Sequence, residues 1–193
     1  MKWIIHSEVK SETVALEFCR ELANDFATTA LAWVRIDLGR GRHTGAYGRC
    51  WYPAGKGSSR KGYRISVQVP GPFPYVHRRY VRPLYQNLDG TWPPIPLGSR
   101  PAGYCESMRN GVVKRWQRLT TEYVFETRAI GIVHVFGHEM FHFLRHSRQI
   151  PGRNGENEAD QFALSIETTF RERLDEHDRV RPTSLKPASS TIR

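Results

Sequence analysis

Between Ser11 and Phe26 the apolar residues Val14, Leu16, Phe18, Cys19, Leu22 and Phe26 recur with mostly helical spacing, which predicts an amphipathic helix. Ala30 to Asp37, carrying Trp33, Val34 and Ile36, reads as a strand. Gly39, Gly41 and Gly45 interrupt it, and Tyr47 to Tyr52 resumes an extended pattern. Pro53 to Gly62 is basic and rich in Gly and Ser, as a turn region is. Tyr63 to Val69 alternates cleanly, with Tyr63, Ile65, Val67 and Val69 on one face and Arg64, Ser66 and Gln68 on the other. That is the pattern of a half-buried strand. Pro70 to Tyr104 holds most of the prolines together with Tyr75, Tyr80, Tyr85 and Trp92, and predicts an irregular but ordered insertion. A helix is expected over Arg109 to Leu119 and a strand over Thr121 to Thr127. Two further helices follow, Ile130 to His146 and Glu156 to Leu174. From Arg179 the chain is rich in Pro, Ser, Thr and Arg and reads as a disordered basic tail. No internal repeat interrupts this order. It predicts one α+β domain over residues 1–178, with a mostly antiparallel sheet, an insertion at about 70–104 and a tail at 179–193.

The Ile130 to His146 helix carries the candidate chemistry. Gly137-His138-Glu139-Met140-Phe141-His142 contains H-E-x-x-H. Residues four apart on a helix project from the same side, so two imidazoles can grip one metal ion. Glu139, one step round, is then placed to take a proton from water activated there. At 100° per residue, His134, His138, His142, His146, Arg145 and Glu139 fall within an arc of roughly 140°, while almost all the rest of the circumference is apolar. The helix is therefore expected to be buried over most of its surface, with one polar stripe. A solvated histidine face or a set of satisfied core histidines is the plain alternative. His134 and His146 read as supporting or surface residues rather than ligands.

A catalytic zinc ion takes three protein ligands and keeps one position open. Beyond the helix-stopping Ile150-Pro151-Gly152, Glu156 and Asp160 stand four apart on one side of the next helix, beside an apolar face of Ala159, Phe162, Ala163, Ile166 and Phe170. Glu156 is the expected third ligand, and Asp160 the acceptor that fixes the tautomer of a ligating imidazole. Glu158 competes for the same role from the other flank of that face. The plain alternative is an acidic first turn complementing the helix dipole.

These residues resemble the gluzincin metallopeptidases, in which H-E-x-x-H is paired with a downstream E-x-x-x-D or a close variant. Glu156-Asn157-Glu158-Ala159-Asp160-Gln161-Phe162-Ala163 looks like the corresponding helix of ImmA/IrrE-like peptidases, which usually carry Asn where Asp160 stands. The resemblance covers Ile130 to Leu174. It implies a zincin-like fold whose sheet has a substrate-binding edge strand beside the metal helix, with Tyr63 to Val69 the candidate strand near the cleft. The earlier elements, with a basic stretch around Arg40 to Arg49, also resemble SprT-like proteases, but those take a third histidine. His177, the one histidine beyond His146, stands too near the tail to serve.

On this reading the chain is a Zn2+-dependent metallopeptidase with Glu139 as general base, acting on a protein or peptide. The resemblance to ImmA/IrrE-like proteins suggests limited cleavage of a regulatory protein. The rival reading is a nucleic-acid- or repressor-associated module in which zinc is structural and has four protein ligands. The net charge of +10 makes nucleic acid or a DNA-bound protein a candidate partner, against a surface charged only for solubility. Cys19, Cys50 and Cys105 show no C-x-x-C spacing, which fits a reducing compartment. The apolar run at Met1 to Ile5 breaks too early for a secretory signal, and no stretch approaches the roughly 20 apolar residues of a membrane span. A cytoplasmic protein is expected.

Overall fold

The computed structural model describes residues 1–38, 45–53 and 62–180. The basic turn expected at 53–62 and most of the expected tail therefore lie outside the described residues. The chain is α+β and divides into two compact units, one of Met1–Gly71 with Arg128–Arg193 and one of Pro72–Thr127.

In the first unit, β1 (Lys2–Ile5), α1 (Thr13–Asn24) and β2 (Leu31–Asp37) form a β-α-β crossover, and β3 (Tyr47–Trp51) and β4 (Tyr63–Gln68) complete a sheet of order β1-β2-β4-β3. β1 pairs parallel with β2, β2 parallel with β4, and β3 antiparallel with β4. The expectation of a mostly antiparallel sheet fails in this unit. Its cause is β1, a four-residue strand too short to show a period, which leaves α1 as the crossover that parallel strands require. α2 (Arg128–His146) packs on β3, β4, α1 and α3 (Glu156–Val180).

β4 behaves as its alternation predicts: Tyr63, Ile65 and Val67 are buried and Arg64, Ser66 and Gln68 are half-buried. Together with Val34 and Ile36 of β2 they cover one side of α2, whose Phe136, Met140, Phe143 and Leu144 have no exposed surface. Each such side chain contributes about 1.5–3 kcal/mol of burial. On the α3 side, Gly137 allows close approach: a Cβ there would lie 3.3 Å from the Ala163 Cα and 3.5 Å from the Ile166 Cβ. α2 ends in a left-handed turn at Arg148 (φ 62), with the Gln149 N–H donating to the Leu144 carbonyl at 2.9 Å and the Arg148 N–H to that of Arg145 at 3.2 Å. α3 continues past the expected Leu174 to Val180, so Arg179 is helical.

The second unit is a three-stranded antiparallel sheet, β5 (Tyr75–Tyr85), β6 (Ser99–Arg109) and β7 (Val112–Phe125), in the order β5-β7-β6. The expected helix over Arg109 to Leu119 is instead the start of β7, and much of the expected irregular insertion is β5 and β6. Asn110 (φ 52) and Gly111 (φ 75) form a two-residue turn that pairs Arg109 with Val112 and Met108 with Val113. Asn-Gly is the sequence that tolerates positive φ at both turn positions, and the β-branched Val112 and Val113 favour the strand beyond it. The ion pairs Arg78–Glu122 (2.8 Å) and Arg115–Glu106 (2.7 Å) clip neighbouring strands together.

Candidate metal centre

His138 and His142, one turn apart on α2, bring their Nε2 atoms to 3.1 Å. The first residue of α3 completes the group. The Oε2 of Glu156 lies 3.4 Å from His138 Nε2, and its Oε1 lies 3.5 Å from His142 Nε2. Among the described residues these three form the one cluster of His, Cys, Asp and Glu able to hold a metal ion. Donor atoms around a tetrahedral ion at about 2.0–2.1 Å stand roughly 3.3 Å apart, so the observed spacings suit such an ion.

The far side of each imidazole is also occupied. His138 Nδ1 lies 3.0 Å from Asp160 Oδ1, and His142 Nδ1 lies 2.9 Å from Asn154 Oδ1. The Asn154 amide nitrogen points instead to the Tyr52 hydroxyl at 3.3 Å, which leaves its oxygen for His142. Both acceptors demand a proton on Nδ1, so the neutral rings present Nε2 lone pairs. Two lone pairs and a carboxylate then converge on one point, an arrangement that a cation relieves.

Glu139 is 6 % exposed. It lies against β3, where a Cβ on Gly48 would be 2.5 Å from both its Cγ and its Oε1. Two residues beyond Gly48 on that strand, burial and then the charge of Glu139 push the Cys50 thiol up to about 12. Cys50 thus lies beside Glu139 as a neutral thiol, and it stands outside the group of His138, His142 and Glu156. Burial likewise raises the Tyr52 and Tyr63 hydroxyls, keeping both as neutral donors.

Glu158, the competing ligand, stands outside the metal group. Its carboxylate folds back over Gly155, where a Cβ would collide with it, as a third-position glutamate does at a helix start. At the two ends of the histidine stripe the rings bind elsewhere. His134 Nδ1 meets Glu167 Oε2 at 2.8 Å, and Glu167 in turn meets Arg171. His146 Nδ1 meets the Tyr63 hydroxyl at 2.8 Å, under a stacked Tyr52 ring 4.1 Å away. Arg145 donates to the Ile150 carbonyl and so braces the turn after α2.

Sequence reasoning passed over Asn154, Gly48 and Tyr52. Asn154 sits in the irregular turn before α3, where no period marks which side chain faces back. The closeness of Gly48 to Glu139 is set by the docking of β3 on α2. No family model, no curated protein and no solved structure matches the chain.

Proposed function

We propose that the chain is a zinc-dependent metallopeptidase with a zincin-like fold, in which His138, His142 and Glu156 hold the ion and Glu139 is the general base. The convergence of two Nε2 lone pairs and the Glu156 carboxylate, beside a buried Glu139, carries the reading. Two imidazoles with one carboxylate are a donor set of catalytic zinc, and a structural site would call for a fourth protein ligand. When bound, zinc supplies Lewis acidity and a water ionisable near neutral pH.

The chain's own groups do the rest. Asp160 and Asn154 hold the two rings in the ligating tautomer. Glu139 takes up the proton of the attacking water and returns it to the leaving amine. β3 is the sheet edge in the order β1-β2-β4-β3, so an extended peptide added there runs past Gly48 and beside Glu139. That gives the edge-strand role to Tyr47–Trp51, with Tyr63–Gln68 the inner strand beside it. The Tyr52 hydroxyl, one residue past β3 and 3.3 Å from the Asn154 amide nitrogen, is our candidate neutral donor for the developing oxyanion. A regulatory or DNA-associated protein is the substrate class that the charge of +10 favours.

The test is cleavage of a quenched-fluorescent peptide library. Wild type should cleave, stop on chelation and recover with zinc. Glu139→Gln should fall by at least about 10²-fold while retaining metal. Equal cleavage by wild type and Glu139→Gln would overturn the reading.

A further inference from the structure

The strand register that turns Val34, Ile36, Ile65 and Val67 toward α2 turns a different set of residues outward. Across the sheet the outward residues form rows: Lys2, Trp33, Arg64 and Trp51 in one, and Arg35, Ser66 and Arg49 in the next. Their side borders a groove of about 510 Å³ lined by both tryptophans, Arg35, Arg64 and Asp37. The groove itself holds Arg35, Arg64 and Asp37, with Asp37 held by Arg35 at 2.8 Å, and the outward rows beside it add Lys2 and Arg49. Arg49 lies over the Trp51 ring, 3.7 Å from its centroid, and Arg64 lies 6.0 Å from that of Trp33. Neither has a carboxylate within ion-pair distance among the described residues.

We infer that this outer face of the sheet binds single-stranded nucleic acid, with bases stacking at Trp33 and Trp51 and phosphates met by Arg49, Arg64 and Lys2. A strand-to-strand spacing of about 4.8 Å sets the two tryptophans roughly 10 Å apart across Arg64, within the reach of neighbouring unstacked nucleotides. Aromatic rings interleaved with cations that have no carboxylate partner among the described residues are what such strands require: π-faces for bases and point charges for the backbone. A duplex hides its base faces in its own stack, and an acidic peptide has no use for the rings, so single strands fit this surface best. The surface is on the opposite side of the sheet from α2, so binding here is independent of whether the metal centre hydrolyses peptides.

Fluorescence anisotropy with labelled oligo(dT) and oligo(U) of about 12 nucleotides tests this on the full chain. Wild type should bind at least one of them at low salt, and about tenfold or more above the matching duplex. The log–log salt slope should be near −2, from three phosphate contacts at about −0.7 each. Trp33→Ala and Trp51→Ala should each weaken binding by roughly tenfold or more. Arg49→Gln with Arg64→Gln, two surface changes that leave the core intact, should flatten the slope by about 1.4. An unchanged far-UV circular dichroism spectrum and urea midpoint in each variant show that its fold survives. Failure of wild type to bind either strand, equal binding of duplex, or wild-type affinity in the arginine pair would each overturn the inference. So would equally tight binding of poly-glutamate with the same dependence on tryptophan.

Discussion

At the scale of single residues, the site works by what stands behind the ligands. Asp160 and Asn154 touch the Nδ1 atoms of His138 and His142 at 3.0 and 2.9 Å, and through them leave both Nε2 atoms as lone pairs able to hold a metal ion. Asp160→Ala and Asn154→Ala should therefore each weaken zinc about 10–100-fold, measured by competition with a chromophoric chelator. The asymmetry between them was partly legible: Asp160 stands one helical turn from Glu156, a spacing the sequence displays, whereas Asn154 reaches His142 only through the path of an irregular turn. Gly48 offers a sharper test. A methyl there must displace the Glu139 carboxylate, so Gly48→Ala should lower kcat severalfold or more with zinc content unchanged. Wild-type kcat in that variant would show that Glu139 has room the structure denies it.

At the scale of elements, the long periodic segments were readable because burial acts on every turn of them. α2 is apolar all round except for its histidine stripe, and β4 alternates strictly, so each declared its type. What escaped detection was short or turn-determined. β1 has four residues, too few for a period, and without it the crossover through α1 could not be seen. The first half of β7, within Arg109 to Leu119, reads as a helix from its period although Asn110-Gly111 is a hairpin turn and Val112-Val113 is β-branched, while the strand expected from Thr121 is its second half. Two changes probe the helix pair. Gly137→Val inserts a branched side chain where α3 backbone lies 3.3 Å from a Cβ, and should cost about 1–3 kcal/mol in urea unfolding. Arg148→Gly relieves a left-handed residue at the end of α2 and should stabilise by up to about 1 kcal/mol; a loss of stability would deny that strain.

At the scale of the whole molecule, α2 carries the candidate metal ligands His138 and His142, and the sheet that buries it carries the tryptophan–arginine surface on its other side. The helix pair is tied below the metal group by His134, Glu167 and Arg171. Burial works to raise the Glu167 carboxyl, yet the hydrogen bonds from His134 and Arg171 hold it below its ordinary value of 4.5. A depressed carboxylate stabilises the fold above that ordinary value and loses its contribution as the pH falls through the lower folded one. The stability gap between wild type and Glu167→Gln should accordingly be full at pH 7 and shrink below pH 4.5, in urea titrations with chelator present so that metal loss adds no pH dependence. A gap that stays constant on acidification would contradict that role. No described helix is long and apolar enough to cross a membrane, and the charge of +10 is spread over both units. The metal centre is tested by metal content, measured by mass spectrometry on purified wild type beside His138→Ala, Glu156→Ala and Glu139→Gln. About one zinc per wild-type chain is expected, kept in Glu139→Gln and lost in the other two. A wild type that carries no zinc and takes up none, or a Glu156→Ala variant that binds it undiminished, would contradict it.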